Sequence, residues 1–223
     1  MELSTLVDGP AAAIVFGGTA LATVLRCGWR DLATTFAVLS TIGTKHFDAD
    51  RVRAELALQL QDIQRDGLLR ARPHAFDDAE LDEATGALFA SRSVTALIER
   101  HEAHKAKRLA LSHAAVRTLA QASELAPVFG LAGTLVSLSQ LPPEGLAQGS
   151  FSGAISLAVL TTLYGLLAAN LLFAPLARLI DRAAQAEEAD RQAVVDWMAA
   201  QVAGAMRPTR AKRAYSLVED YAA

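Results

Sequence analysis

At 223 residues, with 52% hydrophobic but only 6% aromatic side chains, the chain carries more Leu and Ala than a soluble core of this size requires. A formal charge of −3 gives no reason to expect nucleic-acid binding, and neither a Walker A loop nor a Gly-x-Gly-x-x-Gly run after a strand is present. The single cysteine, Cys27, excludes an intramolecular disulfide.

Three stretches stay apolar and free of Asp, Glu, Lys and Arg for long enough to be membrane spans: residues 10–25, 125–141 and 151–177. The first two fall slightly short of the roughly 20 residues a bilayer prefers, and the third exceeds it. No basic residue precedes the first, and Arg26 and Arg30 follow it, so it reads as a retained anchor rather than a secretory signal. Residues 1–9 and 142–150 hold no Lys or Arg, whereas residues 26–124 hold fourteen of the twenty-one and residues 178–223 the other seven. The positive-inside rule therefore puts the N-terminus and the 142–150 loop outside and both basic regions in the cytoplasm. The predicted fold is an all-α integral membrane protein with three transmembrane helices and a helical cytoplasmic region. Its divisions are a first span over 1–27, a cytoplasmic region over 28–124, a helix pair over 125–177 and a cytoplasmic helix with a basic tail over 178–223.

Between the first two spans, Asp48 or Asp50 is placed to cap a helix through "RVRAELALQLQDIQRDG", with Leu56, Leu60 and Ile63 at helical spacing and Gly67 as its stop. A polar turn, "RARPHAFDD", follows. Residues 79–123 read as one helical pattern, rich in Ala and mixed charge, running into the second span. Within it, His101-Glu102-Ala103-His104 is one residue short of a zinc-binding His-Glu-x-x-His, so a solvated charged face is the expectation and no metal site is predicted. After the third span an amphipathic helix continues to Gly204 and Pro208, and a basic cluster, Arg207 to Arg213, closes the chain. No strand signal, no internal repeat and no nucleophile–base constellation is present, which leaves no catalytic residues and no support for an enzyme.

The spans are apolar but not featureless. On a helical wheel Ala158, Thr162, Gly165 and Ala169 fall on one stripe of the third span, with Thr161 about 100° from Thr162. Gly130, Gly133, Thr134 and Ser137 form a comparable small-residue stripe on the second, and such stripes let helices approach closely in lipid. Packed antiparallel, the two helices place Thr134 and Thr162 near one level. Those hydroxyls serve either as glue, bonding backbone carbonyls, or as a hydrated path that receives a carboxylate. Asn170 is expected to bond an adjacent helix rather than an ion, and Tyr164 to anchor packing between subunits. No Asp, Glu, Lys, Arg or His lies within the spans, so a proton relay through them needs a carboxylate from a partner.

Residues 126–138, "APVFGLAGTLVSL", followed by residues 154–180, "AISLAVLTTLYGLLAANLLFAPLARLI", resemble the signature of the MotA/TolQ/ExbB ion-channel family. Residues 7–25, "VDGPAAAIVFGGTALATVL", resemble the second membrane helix of MotA-type flagellar stator subunits. The resemblance implies five such subunits around two copies of a single-span MotB-, ExbD- or TolR-like partner whose membrane aspartate carries H+ or Na+. It implies an ion path along Thr134, Thr161 and Thr162, with Pro127 at its cytoplasmic base, in a multi-pass protein of the bacterial inner membrane. No cofactor is implied beyond the transported ion, and Pro208 matches a second proline of MotA-type subunits.

Two departures accompany the resemblance. MotA-type subunits have four membrane helices and this sequence begins where their second does, so a truncated start or a reduced variant is expected, with the three-span count of ExbB and TolQ. Stator subunits also carry a rotor-contact motif resembling Arg-x-x-Gly-(x)4-Leu-Glu, whereas "QRDGLLRAR" places Gln64 at the Arg position and Arg72 at the Glu position when aligned on Gly67. Arg65 offers a substitute one residue away, and the reversed charge at Arg72 weakens or redirects contact with a rotor. The functions these readings leave are a flagellar stator-like ion channel, an ExbB/TolQ-like energiser of an envelope complex, and a non-conducting membrane scaffold.

Overall fold

The computed structural model describes residues 8–42, 47–66, 78–140 and 148–206, and every element among them is helical. In chain order these are α1 (Gly9–Cys27), α2 (Trp29–Thr41), α3 (Ala49–Asp66), α4 (Ala79–Ser91), α5 (Val94–Ser139), α6 (Gln148–Leu167) and α7 (Ala174–Met206). A π turn over Ala13–Gly17 interrupts α1, and another over Ala168–Phe173 joins α6 to α7. Three of these helices, α1, α5 and the continuous α6–α7 rod, are long and apolar enough to cross a membrane.

Local chemistry explains most boundaries. Asp8 caps α1 by accepting the Ala11 N–H, and Pro10 sits in the first turn, where a missing N–H costs nothing. Gly28 separates α1 from α2 with φ +89, a backbone conformation that side chains with a Cβ resist. Asp48 accepts the Arg51 N–H at the start of α3, and Asp78 accepts those of Glu80 and Leu81 at the start of α4. The single helical pattern expected over 79–123 is broken: α4 ends at Arg92, whose φ of 55 is left-handed, and α5 begins afresh at Val94. From there α5 runs unbroken through Pro127.

The chain forms two compact units, one from residues 1–45 and 109–184, the other from residues 46–108 and 185–223. In the first, Ala115, Leu119, Ala177 and Ile180 form a core edged by Val38, Leu39 and Ile42 of α2 and its end, and a smaller core joins Ala126 to Ala168 and Ala169. Leu25, Leu135 and Leu171 stand about 70–80% exposed on the apolar helices of this unit, a surface suited to lipid or to neighbouring chains rather than water.

The second unit has a conventional core of Leu56, Leu81, Leu88, Leu97, Val194 and Met198. Beside that core lies a cluster of ion pairs. Arg191 pairs with Asp78 at 2.7 Å and with Glu187 at 2.9 Å while stacking 4.3 Å over the Phe47 ring. Arg108 bridges Glu80 and Glu188, the latter at 2.7 Å. His101, only 6% exposed, places Nε2 3.3 Å from the Gln192 side-chain oxygen and 3.4 Å from Glu188 Oε1. His104 Nε2 meets Glu83 at 3.0 Å. The expected solvated face at His101 and His104 is therefore corrected: the two histidines are built into a charged cluster between helices, because α4 and α7 supply carboxylates against α5.

Candidate functional site

Contacts between α5 and the α6–α7 rod show two helices packed antiparallel. Ser123 meets Ala169, Gly130 lies against Thr161, Thr162 and Gly165, Gly133 against Thr161, and Ser137 bonds the Ala154 carbonyl, so position falls along one helix as it rises along the other. Glycines permit this approach. A Cβ at Gly165 would lie 2.7 Å from the Ala126 carbonyl oxygen and 3.1 Å from the Gly130 Cα, and one at Gly130 would lie 2.9 Å from the Thr161 carbonyl oxygen. Backbone touches backbone, which is how small residues hold helices together where lipid removes any hydrophobic driving force.

Thr161 sits inside the contact, with no exposed surface, its Cβ and methyl against Gly133. Thr162 and Thr134 lie at its margin, half-buried. The small-residue stripe drawn through Ala158, Thr162, Gly165 and Ala169 is thus rotated: Thr161, Gly165, Ala168 and Ala169 are buried, a spacing of four, three and one that keeps one helical face. Each of these three threonine hydroxyls donates within its own helix, Thr134 to the Leu131 carbonyl at 2.6 Å, Thr161 to that of Ala158 at 2.9 Å, and Thr162 to the same carbonyl at 3.2 Å. Donation to the backbone leaves each hydroxyl oxygen able to accept, so Thr134 and Thr162 present acceptors at the edge of the pair.

Pro127 lies within this contact, its Cα 3.2 Å from where a Gly165 Cβ would be. Having no N–H, it leaves the Ser123 carbonyl without its helical donor. Asn170 bonds its own helix, Nδ2 donating to the Leu166 carbonyl at 2.9 Å, rather than the neighbour expected. Tyr164 reaches α1: its hydroxyl accepts the Asp8 N–H at 3.0 Å. Gly18 of α1 packs on the Phe129 ring, where a Cβ would come within 2.3 Å of a ring carbon. Ser123 and Pro175 escaped the sequence reading. Pro175 carried a signal, a proline inside a continuous apolar run, whereas nothing distinguished Ser123 from its surroundings. Arg72 and Pro208, and the side chains of Gln64 and Arg65, lie outside the described residues. Among the described residues no group of three His, Cys, Asp or Glu side chains is arranged to hold a metal ion.

Residues 74–193, more than half the chain and all of the α5–α6 pair, match the model of the MotA/TolQ/ExbB proton channel family. The chain belongs to that family. Within it the likeness runs to MotA-type subunits. A Motility protein A of Cereibacter sphaeroides is 24% identical over 87% of this chain and 77% of its own length. An uncharacterized protein, YtxD, of Bacillus subtilis is 29% identical over 75% of this chain and 55% of its own length. Two solved structures share the fold: C. jejuni MotAB, with a TM-score of 0.76, 18% identity and coverage of 90% of this chain and 79% of that one, and the flagellar MotAB stator complex of Bacillus subtilis, with a TM-score of 0.77, 19% identity and coverage of 91% and 81%. The family match spans Pro127, Thr134, Thr161 and Thr162 together, so the close-packed, hydroxyl-edged pair lies wholly within the residues that match the family.

Proposed function

We propose that this chain is the ion-conducting subunit of a stator-like membrane motor, coupling flow of H+ or Na+ to rotation and powering a flagellum. The supporting observation is the α5–α6 pair: a glycine-tight contact edged by Thr134 and Thr162, with Pro127 at one end, inside the region that matches a proton channel family. Several copies, five by the family's pattern, surround a single-span partner that supplies the membrane carboxylate these spans lack. Hydroxyl oxygens then offer acceptors to that carboxylate's proton or ion. On this reading the chain is a multi-pass protein of the bacterial inner membrane, with residues 142–150 outside and the charged helices within. Rotor contact of the usual kind is altered, since Gln64 and Arg72 stand where the motif resembles Arg and Glu. That departure favours one second reading, an ExbB/TolQ-like energiser of an envelope complex.

Thr162→Val is close to isosteric and removes one acceptor from the edge of the pair. Partner-dependent ion uptake into vesicles should be lost while the oligomer, sized by light scattering, stays intact. Unchanged uptake would sink the hydroxyl path and leave a packing scaffold. Restored swimming in a stator-deficient cell would separate the flagellar reading from the envelope one.

A further inference from the structure

Two of the membrane-crossing rods, α5 and the α6–α7 rod, each carry a proline, and only the second leaves regular α-helical backbone. In α5, Pro127 removes the N–H that the Ser123 carbonyl would have accepted. In the other rod Pro175 has no N–H either, and in a regular α-helix its ring would strike the Leu171 carbonyl; just before it the backbone widens into the π turn Ala168–Phe173. That turn closes with the Ala174 N–H on the Ala169 carbonyl, five residues back. The same carbonyl accepts a second donor from across the contact, Ser123 Oγ, at 3.1 Å. One residue, Ser123, thus holds both the carbonyl released by one proline and the hydroxyl that reaches the turn beside the other.

We infer that Ser123 is a positioning residue at the Pro127 end of the helix pair, tying the proline turn of α5 to the π turn that follows α6. A π turn keeps its place only while its i to i+5 bonds are favoured over a shift of one residue, and such a shift would carry the Ala169 carbonyl away from Ser123. The bond therefore fixes the register of the widened turn and, through the same residue, the direction of the released Ser123 carbonyl. This inference rests on the reading that the pair borders an ion path. It adds that the end of the path beside Pro127 is held by a hydroxyl that bears no load in conduction itself. Because the Ala169 carbonyl keeps its Ala174 N–H, Ser123→Ala leaves no buried acceptor empty, and the protein is expected to fold.

Hydrogen exchange across residues 168–175, measured on the full chain in lipid nanodiscs, tests the tie without any conduction. Ser123→Ala should raise exchange there about tenfold, whereas Ser123→Thr, which keeps the hydroxyl, should stay within about twofold of wild type. Equal exchange in wild type and Ser123→Ala would overturn the inference. With an aspartate-bearing single-span partner, dye-monitored proton uptake into vesicles should fall at least fivefold in Ser123→Ala and recover in Ser123→Thr. Wild-type uptake that Ser123→Ala leaves unchanged also overturns the positioning role. No uptake from wild type with its partner would instead overturn the proposed function and with it the conduction half of this inference, while exchange still decides the tie.

Discussion

A single missing methyl group decides how closely the two helices meet. At Gly165 the neighbouring atoms are backbone, the Ala126 carbonyl oxygen at 2.7 Å and two Cα atoms at 3.1 and 3.2 Å from a would-be Cβ, and backbone cannot turn aside as a side chain can. Gly165→Ala should therefore force the helices apart, costing about 1–3 kcal/mol in the manner of an overpacked core. Gly86 in α4 is the counterpart, with nothing within 4 Å of its would-be Cβ, and Gly86→Ala should stabilise by about 0.5–1 kcal/mol through helix propensity alone. Thermal unfolding of both variants in detergent checks the opposite signs; two losses of equal size would contradict the steric account. Spacing on a wheel makes the glycines legible as a stripe but does not say which threonine joins them. The wheel angle grouped Thr162 with Ala158, Gly165 and Ala169, whereas the methyl of Thr161 fills the hollow over Gly133, and only the partner helix distinguishes those outcomes.

Among the elements, long apolar runs were legible because hydrophobicity and length are properties of one segment. The break between α4 and α5 was not, since "SRS" contains neither Gly nor Pro and the helical pattern on both sides is strong. Arg92 adopts φ 55 there, a conformation that costs a residue with a Cβ about 1 kcal/mol. Arg92→Gly should accordingly stabilise the α4–α5 corner by up to about 1 kcal/mol, with the side chain itself exposed and so of little consequence. Denaturant midpoints compare the two chains, and a loss of stability would mean the corner is held by something other than its backbone. The π turn at Ala168–Phe173 belongs to the same class of feature: its cause, Pro175, stands in the sequence, but whether a proline kinks, ends or widens a helix depends on what packs beside it.

At the scale of the whole molecule, the charged cluster ties the stability of the second unit to pH. Burial pushes the His101 imidazole below its ordinary value, although Glu188, Gln192 and Glu102 pull it up and Arg108 adds to the depression. The unfolded chain then binds a proton near pH 6.5 that the folded chain resists, so stability is lost as pH falls below about 6.5. For Asp78 burial alone would raise the carboxyl, but the Arg191 charge and the N–H groups of Leu81 and Glu80 outweigh it and hold the carboxyl low. Its contribution is present above about pH 3.9 and is lost on further acidification. His101→Gln should flatten the decline in melting temperature between pH 7 and 5 and leave the decline below pH 4 intact; an unaltered slope above pH 5 would assign that decline to other groups. None of this was legible, because His101, Glu188 and Asp78 come from three separated stretches of chain. The hydrogen bond between Asp8 and Tyr164 joins partners 156 residues apart. A ribosome adding roughly 5–20 residues per second needs on the order of ten to thirty seconds to bring Tyr164 within reach of the first span. During that interval α1 exists in lipid without its eventual neighbours, and the Thr23 hydroxyl, closed on the Thr19 carbonyl at 2.7 Å, needs none of them. Biogenesis therefore sets a requirement that the finished fold conceals: α1 must keep its helix before α6 has been made.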